Sequence, residues 1–591
     1  CIGEKMRLSR LYCTPSTIMD DVVFNPGLNY VLGSIMDVEN RKKDTHNIGK
    51  TTFGKTIDYC LLKQVDTNSF PLSVPSLSEV TFFLELALDD GSFFTIARTV
   101  KKKNLVSYIC SDTSMKYGAV GPDWIVDVQV SKVQDVLEGK LAFSIQKGYS
   151  FRKGLEYFIR VTGEYNDIFK IQPRAKDEAW KPYVLRLLGY DDASYRKRID
   201  LLHEKEVINN TIDFLKGQIG REGEKVQGLL VNAKGHLSEI EQAMESLNFY
   251  QQDMDNIKEM TESLDLKISL LNSELYDKKV KVRQIEHSLA DQPSTFELGR
   301  VESLYKEVGV LFPEQLRKDY QQLLAFNQEI TNERKSALLA EKDALMNSAR
   351  GIEEELSKYN TERQEKLSFL KDVDVIRKYK DLAEEKSACV QTITQLEGKL
   401  EAQKQLIEKR TLLTKKEREL SDIINTLAEN IYSVPEQYEK TQKVFNGIIK
   451  DVLNKTAIIS LKINTKNNVI IEGSIQNDDA MITDEDHGDT YKKLLCIAFD
   501  LALLKANMGH PFYRFVFHDG AFEALDDRKK ENLRDVFRAF GNDGIQQIVT
   551  CIDSDIPNID SNGKPFINNE EVVLHLNDSG KEGRLFHMDI C

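Results

Sequence analysis

The segment HNIGKTT, His46–Thr52, decides the fold of this chain. It follows a predicted strand, LNYVLGSI (Leu28–Ile35), and precedes an apolar run with helical spacing, FGKTIDYCLL (Phe53–Leu62). A strand, a Gly-Lys-Thr loop and a helix in this order are typical of a P-loop, whose backbone N–H groups at the helix N-terminus bind phosphate oxygens. The segment therefore predicts an α/β nucleotide-binding domain.

The P-loop pattern assigns a role to each of its residues. Lys50 is predicted to reach the β- and γ-phosphates of ATP, and the Thr51 hydroxyl to bind Mg²⁺. The residues predicted to line the phosphates are Asn47, Ile48, Gly49, Lys50, Thr51 and Thr52. Asp44 stands where the G-x-x-x-x-G-K-T pattern has its first glycine. The alternative is therefore a surface loop that contains Gly-Lys-Thr by chance.

The second half of the nucleotide site is predicted near the C-terminus. The segment YRFVFHDGAFEALDDR (residues 513–528) contains a predicted Walker B strand, Phe515–His518, that ends at Asp519. An acidic residue at this position binds the Mg²⁺ of a nucleotide, so Asp519 and Thr51 are the predicted metal ligands. The following ALDDR resembles the D-loop of ABC ATPases, with Asp526 as its acid.

A third motif, HGDTYKKLLCIAFDLALL (residues 487–504), resembles the ABC signature, a small polar turn followed by an apolar helix. Gly488, Asp489 and Thr490 form the turn and are predicted to face a γ-phosphate bound by a second subunit. The alternative is a surface turn followed by a core helix. The order and spacing of the three motifs favour the signature.

The middle of the chain has the pattern of a helical hairpin. Apolar residues recur there at the 3.5-residue spacing of a coiled-coil seam, as in Leu264, Ile268, Leu271 and Leu275. Pro293 and Pro313 interrupt the pattern, and proline removes a helix hydrogen bond and clashes with the preceding turn. Both helices are therefore predicted to end near these prolines.

The predicted fold class is an α/β ABC-type P-loop ATPase head with a long inserted antiparallel α-helical coiled-coil hairpin. An antiparallel hairpin brings its two ends together, so the N- and C-terminal lobes can form one head. The predicted segments are an N-terminal ATPase lobe, 1–195; an ascending arm, 196–292; a hairpin tip, 293–320; a descending arm, 321–430; and a C-terminal ATPase lobe, 431–591.

Composition limits the other classes of function. The net charge of −14 argues against a general nucleic-acid coat, and scattered cysteines without a C-x-x-C pair argue against a zinc site or disulfide framework. We expect a cytoplasmic protein without a membrane span, because the apolar runs are short. The basic clusters Arg41–Lys43 and Lys101–Lys103 either bind DNA phosphates or lie in solvated loops. The apolar segment Leu304–Phe326 either contacts a partner or closes the hairpin.

The layout resembles that of SMC and double-strand-break-repair ATPases. Four segments, FNPGLNYVLGSI, DTHNIGKTTFGKTIDYCLL, YKEVGVLFPEQLRKDYQQLLAFNQEITNERKSALLAEKDAL and HDGAFEALDDR, together resemble a bacterial family of SMC-like ATPases. Its members occur in ABC three-component conflict systems related to Lamassu-type phage defence. The resemblance implies a homodimer whose heads sandwich two ATP molecules. It also implies a small accessory subunit, an effector that is often a nuclease, and double-stranded DNA as the molecule sensed.

Two positions depart from general ABC chemistry. Gly520 stands where the catalytic glutamate normally follows the Walker B aspartate, and Thr550 and Cys551 stand where the switch histidine is expected. A general base must reach the attacking water, which glycine cannot do. The sequence therefore predicts slow hydrolysis, with ATP acting mainly as a dimer clamp. His518 and Glu523 are the candidates for a substitute base, and each also fits a structural role.

Three hypotheses for function follow. The first is an ATP-gated DNA sensor in an anti-phage complex, and the second is a chromosome-maintenance or DNA-repair ATPase with the same machinery. The third is a coiled-coil scaffold with a vestigial nucleotide site, which the intact Gly49–Lys50–Thr51 disfavours.

Overall fold

The chain divides into two compact units in its computed structural model. The structure describes residues 6–36, 48–220, 223–247, 251–290, 314–368, 373–476 and 489–588. One unit, here called the head, combines Cys1–Asp200 with Leu420–Cys591. The other, here called the helical unit, is Leu201–Glu419. The head is therefore built from both ends of the chain.

The secondary structure is as follows. The strands are β1 Met6–Thr14, β2 Val22–Val23, β3 Leu28–Ser34, β4 Thr81–Leu88, β5 Phe93–Thr99, β6 Leu105–Ser111, β7 Ile125–Gln129, β8 Ile159–Arg160, β9 Thr456–Ile463, β10 Val469–Gln476, β11 Phe515–His518, β12 Gln546–Ile552 and β13 Val572–Asn577. The helices are α1 Lys50–Cys60, α2 Val130–Leu141, α3 Phe151–Phe158, α4 Asp177–Leu187, α5 Asp192–Ile219, α6 Val226–Glu245, α7 Gln251–Ala290, α8 Glu314–Ser368, α9 Val373–Tyr432, α10 Glu436–Leu453, α11 Asp489–Ala506 and α12 Asp527–Asn542. None of the helices in these ranges combines the length and hydrophobicity of a membrane-spanning segment.

A parallel sheet joins the two ends of the chain. Its order is β13-β3-β12-β11-β8, and every neighbouring pair is parallel. The N-terminal strand β3 lies between β12 and β13, and β8 lies beside β11, so strands from both lobes share one ladder of hydrogen bonds. Parallel strands of this kind are buried on both faces, which explains the continuous apolar runs in β3 and β11. The ABC-type fold class is confirmed by this split sheet.

The head also contains two antiparallel sheets. The larger has the order β2-β1-β4-β5-β6-β7, and the smaller pairs β9 with β10. The side-chain amide of Gln546 links the larger sheet to the parallel one, because its Nε2 donates to the Leu8 carbonyl and its Oε1 accepts from the Leu8 N–H, both at 2.8 Å. This connection again joins residues from opposite ends of the chain.

The head includes the roots of the two arms. Tyr195 is 1% exposed, and its hydroxyl donates to Asn468 Oδ1 at 2.9 Å. Leu427 and Ile431 belong to the main hydrophobic core of the head. These contacts explain why the head extends beyond the lobes predicted at 1–195 and 431–591. Of the segment predicted as the tip, 293–320, the structure describes only the part from Glu314, where α8 begins.

Ion pairs set an antiparallel register in the helical unit. Asp265 pairs with Arg363 at 3.0 Å, and Glu286 pairs with Lys342 at 2.7 Å. A higher residue number on α7 thus meets a lower one on α8. Ile268 and Leu275 of the predicted seam are buried against Ile352 and Leu356. The antiparallel coiled-coil hairpin is confirmed.

The helix α7 also packs against the parts of α5 and α9 that belong to the helical unit. The ring of His287 lies 6.0 Å from that of Phe214. Tyr276 lies against Gly398, where an added Cβ would stand 2.5 Å from the tyrosine Cζ. A glycine is therefore required for this close approach, and α7 runs back along the arm that precedes it.

Candidate functional site

The P-loop enters α1 through a glycine that its geometry requires. Gly49 has φ +107°, and an added Cβ would lie 2.5 Å from the Leu585 Cβ, so both conformation and space favour glycine. Gly54, one turn into α1, packs on the Phe517 ring of β11. This contact sets the P-loop helix directly against the Walker B strand. Ile48 is buried, whereas Asn47 and Asp44 lie outside the described residues.

The structure brings Thr51 and Asp519 together. Thr51 Oγ1 donates to Asp519 Oδ2 at 2.6 Å. The same carboxylate oxygen accepts from the backbone N–H and the hydroxyl of Thr162, at 3.1 and 2.6 Å. The other oxygen accepts from Thr550 Oγ1 at 2.5 Å. Asp519 is 1% exposed, and these donors satisfy its buried carboxylate.

This donor set fits Mg²⁺. A hydroxyl and a carboxylate are hard oxygen ligands, and Mg²⁺ is commonly held by one or two such groups together with substrate phosphates and water. In the part of the chain that the structure describes, no cluster of three or more His, Cys, Asp or Glu side chains could hold a metal by itself. Thr51 and Asp519 would therefore hold the ion jointly with a nucleotide. The ion would help to neutralise the negative charge of the phosphates.

Lys50 is an enclosed cation. It is 6% exposed, and burial lowers the pKa of its ammonium, an effect that the carboxylates of Asp519 and Glu523 partly oppose. A buried ammonium is stabilised by a strong anionic partner, because burial disfavours its charged form. The phosphates of a nucleotide would supply that anion.

The sequence pattern does not predict that Thr162 and Thr550 bond to Asp519, although both do. Thr550 lies within β12, the strand next to Walker B, and its hydroxyl both accepts from the Gly520 N–H at 2.9 Å and donates to Asp519. The sequence signal for Thr550 is its position, because it stands where ABC ATPases have the switch histidine. Thr162 follows the two-residue strand β8, which has no sequence signal of its own.

His518 lies in the core of the head. It is 0% exposed, its Nε2 is 3.4 Å from Asp500 Oδ2, and its ring stacks on Phe537. Burial is the main cause that lowers the pKa of this imidazole. Asp500 in turn holds Arg160, at 2.6 Å from its Nε and 3.0 Å from its NH2. These contacts describe a structural brace beneath the site.

Arg160 extends this brace to the loop beside the metal ligands. Its guanidinium also donates to the backbone carbonyls of Glu164, Asp167 and Ile168. The Arg160 carbonyl accepts from the Asp519 N–H at 3.1 Å. The brace therefore positions the segment that carries Thr162 against Asp519.

The predicted signature and D-loop residues lie at helix N-termini. The helix α11 begins at Asp489, with Thr490 partly buried, and Gly488 lies outside the described residues. Asp526 caps α12, because its Oδ1 accepts from the Lys529 N–H at 3.1 Å. The hydrogen bonds from Lys529 lower the pKa of the Asp526 carboxyl. Both N-termini carry the positive end of a helix dipole, which favours an anion.

The basic cluster Lys101–Lys103 is partly neutralised. Lys101 pairs with Glu79, and Lys102 Nζ lies 2.7 Å from Asp127 Oδ1. Lysines that already contact carboxylates gain less from DNA phosphates, so these contacts favour a solvated loop. The other cluster, Arg41–Lys43, lies outside the described residues.

Glu523 lies beside Gly520, the residue that replaces the usual catalytic glutamate. Lys493 Nζ donates to Glu523 Oε2 at 2.6 Å and to the Gly520 carbonyl at 2.9 Å. The Glu523 side chain is 41% exposed, whereas that of Lys493 is 15% exposed. Glu523 is thus within the site and open to solvent, unlike His518.

The chain is similar to bacterial proteins of undescribed function. Residues 448–590 match the model of the family described as "Uncharacterised protein conserved in bacteria (DUF2326)". Over 550 residues the chain is 22% identical to the "Uncharacterized protein YydD" of Bacillus subtilis (strain 168), covering 88% of each protein.

SMC head domains are among the solved structures similar to this chain. One is the Smc head domain with a coiled coil and joint from Pyrococcus yayanosii, at 13% identity and a TM-score of 0.34, covering 93% of this chain and 92% of that one. Another, from Pyrococcus furiosus, has an extended coiled coil and is bound to the C-terminal domain of ScpA, at 12% identity and a TM-score of 0.32, covering 93% and 90%. The SMC-like arrangement follows from the split parallel sheet and the inserted antiparallel hairpin of this chain.

Proposed function

We propose that this chain is an SMC-like ATP-binding protein whose heads dimerise on ATP. The observation that carries the proposal is the contact between Thr51 and Asp519, residues from opposite ends of the chain that meet at 2.6 Å beside the buried Lys50. A hydroxyl, a carboxylate and an ammonium in this arrangement are the groups that a Mg²⁺-nucleotide needs. The contact between Thr51 and Asp519, beside a buried lysine, supports a working nucleotide site over a vestigial one.

Dimerisation through ATP is proposed from the separation of roles between motifs. Lys50, Thr51 and Asp519 would bind the nucleotide in one subunit. The N-terminus of α11, with Asp489 and Thr490, would face the γ-phosphate held by the partner subunit, since helix N-termini favour anions. Each ATP would then be bound by two subunits, and the nucleotide would act as a clamp between heads.

The biological role is proposed from the sequence resemblance. We propose the chain as the ATPase subunit of a multi-component anti-phage complex, with a small accessory subunit, an effector that is often a nuclease, and duplex DNA as the trigger. The ion pairs of Lys101 and Lys102 make that lysine cluster a poor DNA surface. The alternative role in chromosome maintenance or DNA repair would use the same head.

Light scattering during size-exclusion chromatography tests the clamp. We expect the full chain with Mg²⁺ and a non-hydrolysable ATP analogue to elute at a larger mass than the nucleotide-free protein, by the equivalent of one added subunit. A charge reversal at Thr490, Thr490→Glu, should prevent this shift while each subunit still binds nucleotide, because its carboxylate would repel the partner's γ-phosphate. Linear duplex DNA added to the same sample should favour the dimer. Equal shifts for Thr490→Glu and wild type would exclude this dimer interface.

A further inference from the structure

The backbone at Gly520 leaves a space that another residue fills. Gly520 has φ +63°, in the left-handed region, and its carbonyl accepts from the Glu523 N–H at 3.2 Å. The resulting turn folds Glu523 back over Gly520. An added Cβ at position 520 would overlap the Glu523 carboxylate, with Oε2 2.7 Å away. The Glu523 carboxylate therefore occupies the position that the Cβ atom of a Walker B glutamate at residue 520 would take.

We propose that Glu523 is the general base for ATP hydrolysis, an assignment that rests on the proposed nucleotide site. Gly520 directly follows Asp519, whose Oδ2 contacts Thr51. The turn thus places a second carboxylate against the residue that follows the predicted metal ligand Asp519. Position 520, where ABC ATPases have the catalytic glutamate, is a glycine here, and Glu523 supplies a carboxylate in its place.

Lys493 positions this carboxylate. Its ammonium bridges Glu523 Oε2 and the Gly520 carbonyl, and it lies 5.1 Å from the centre of the Tyr165 ring. Tyr165 is itself tied to the site, because its hydroxyl accepts from the Asp519 N–H at 2.9 Å. Within the described parts of the chain, Lys493 is the sole hydrogen-bond partner of the Glu523 carboxylate, through Oε2. Among the described residues nothing bonds to Oε1, the oxygen that would accept a proton from water.

The chemical step is a water attack on the γ-phosphorus. As the water oxygen forms its bond to phosphorus, the Glu523 carboxylate accepts the water proton. The bond between the γ-phosphorus and the β–γ bridging oxygen breaks, and its electron pair leaves with ADP. The protonated Glu523 then returns the proton to solvent or phosphate, so the products are ADP and inorganic phosphate. Because Oε2 stays engaged with Lys493, we expect a slow base.

If Glu523 had a purely structural role, its ion pair with Lys493 would only link α11 to the turn at Gly520. A comparable ion pair lies on the same helix. Lys505 Nζ contacts Asp543 Oδ2 at 2.6 Å, about 18 Å further along α11 at about 1.5 Å per residue. Both pairs link α11 to a later segment with a lysine and a carboxylate. The variant Asp543→Asn is therefore the control for the loss of an ion pair that has only this linking role.

Glu523→Gln tests the assignment in the full chain. We expect single-turnover hydrolysis to fall by roughly 100-fold or more, as for loss of a general base. The affinity for a fluorescent ATP analogue with Mg²⁺ should stay within about threefold of wild type, because a general base acts in the transition state and not in the binding of ATP. The dimer formed on ATP should persist correspondingly longer on dilution. Asp543→Asn should change none of these.

The outcomes separate this inference from the proposed function. Wild-type hydrolysis and dimer lifetime in Glu523→Gln, with ATP binding intact, would overturn the assignment and leave the clamp standing. Failure of the wild-type chain to bind Mg²⁺-ATP would overturn both. Should Glu523→Gln unfold, Glu523→Asp provides the second variant, since it keeps the charge but withdraws the carboxylate by one methylene. It is expected to bind ATP normally and hydrolyse it more slowly than wild type, and unchanged hydrolysis would contradict the role.

Discussion

Lys50→Ala is expected to weaken binding of Mg²⁺-ATP by about 10- to 100-fold without loss of the fold. A hydrogen bond to a charged group is worth about 1.5–3 kcal/mol, and each 1.4 kcal/mol is tenfold in affinity. Lys50 is 6% exposed, and burial lowers the pKa of its ammonium, so its removal also relieves a desolvated charge. Titration of a fluorescent ATP analogue measures the affinity.

Lys55→Ala is the matched control for this variant. Lys55 lies on the same helix α1, five residues later, and its side chain is exposed. It should bind the analogue as the wild type does. If both alanine variants lost affinity equally, the effect would be a general change of charge, and the P-loop assignment of Lys50 would be wrong. The melting temperature of Lys50→Ala should match or exceed that of wild type.

Asp500→Ala is expected to destabilise the head by about 3–5 kcal/mol, as for removal of one partner of a buried ion pair. Asp500 and Arg160 are each 0% exposed and make two contacts, at 2.6 and 3.0 Å. The alanine would leave a guanidinium buried without its counter-charge. It would also loosen the segment that places Thr162 on Asp519, so binding of Mg²⁺-ATP should weaken as well.

Intrinsic fluorescence during urea unfolding measures this loss in the head alone. The two tryptophans of the chain, Trp124 and Trp180, both lie in the head and are mostly buried. Asp543→Ala is the control, because its pair with Lys505 on the same helix is about half exposed and should contribute at most about 1 kcal/mol. A loss below about 1 kcal/mol for Asp500→Ala would show that the brace does not stabilise the fold.

The sequence predicts the parts of the site that depend on local chemistry. A Gly-Lys-Thr loop between a strand and a helix, and an aspartate after an apolar strand, need only neighbours in sequence to be recognised. The antiparallel hairpin then implies that the two segments meet. Thr51 and Asp519 do meet, at 2.6 Å.

Other parts of the site depend on tertiary structure. Thr162 follows a two-residue strand, and its place beside Asp519 depends on Arg160 holding Asp500 from α11. The return of α7 along its arm is equally hidden, because a heptad pattern shows that a helix has partners and not which ones. The contact of Tyr276 with Gly398 identifies one of them. The sequence indicates Glu523 as a candidate base only through its position, three residues after the glycine that stands in place of the catalytic glutamate.

Isothermal titration calorimetry of the full chain with a non-hydrolysable ATP analogue shows whether the N- and C-terminal lobes build one Mg²⁺-nucleotide site. We expect one nucleotide per chain in the presence of Mg²⁺. Binding should weaken markedly in EDTA and in Asp519→Asn, a change in the C-terminal lobe that leaves the P-loop in the N-terminal lobe intact. Binding that is indifferent to both EDTA and Asp519→Asn, or no binding by the wild-type chain, would contradict a site shared between the lobes.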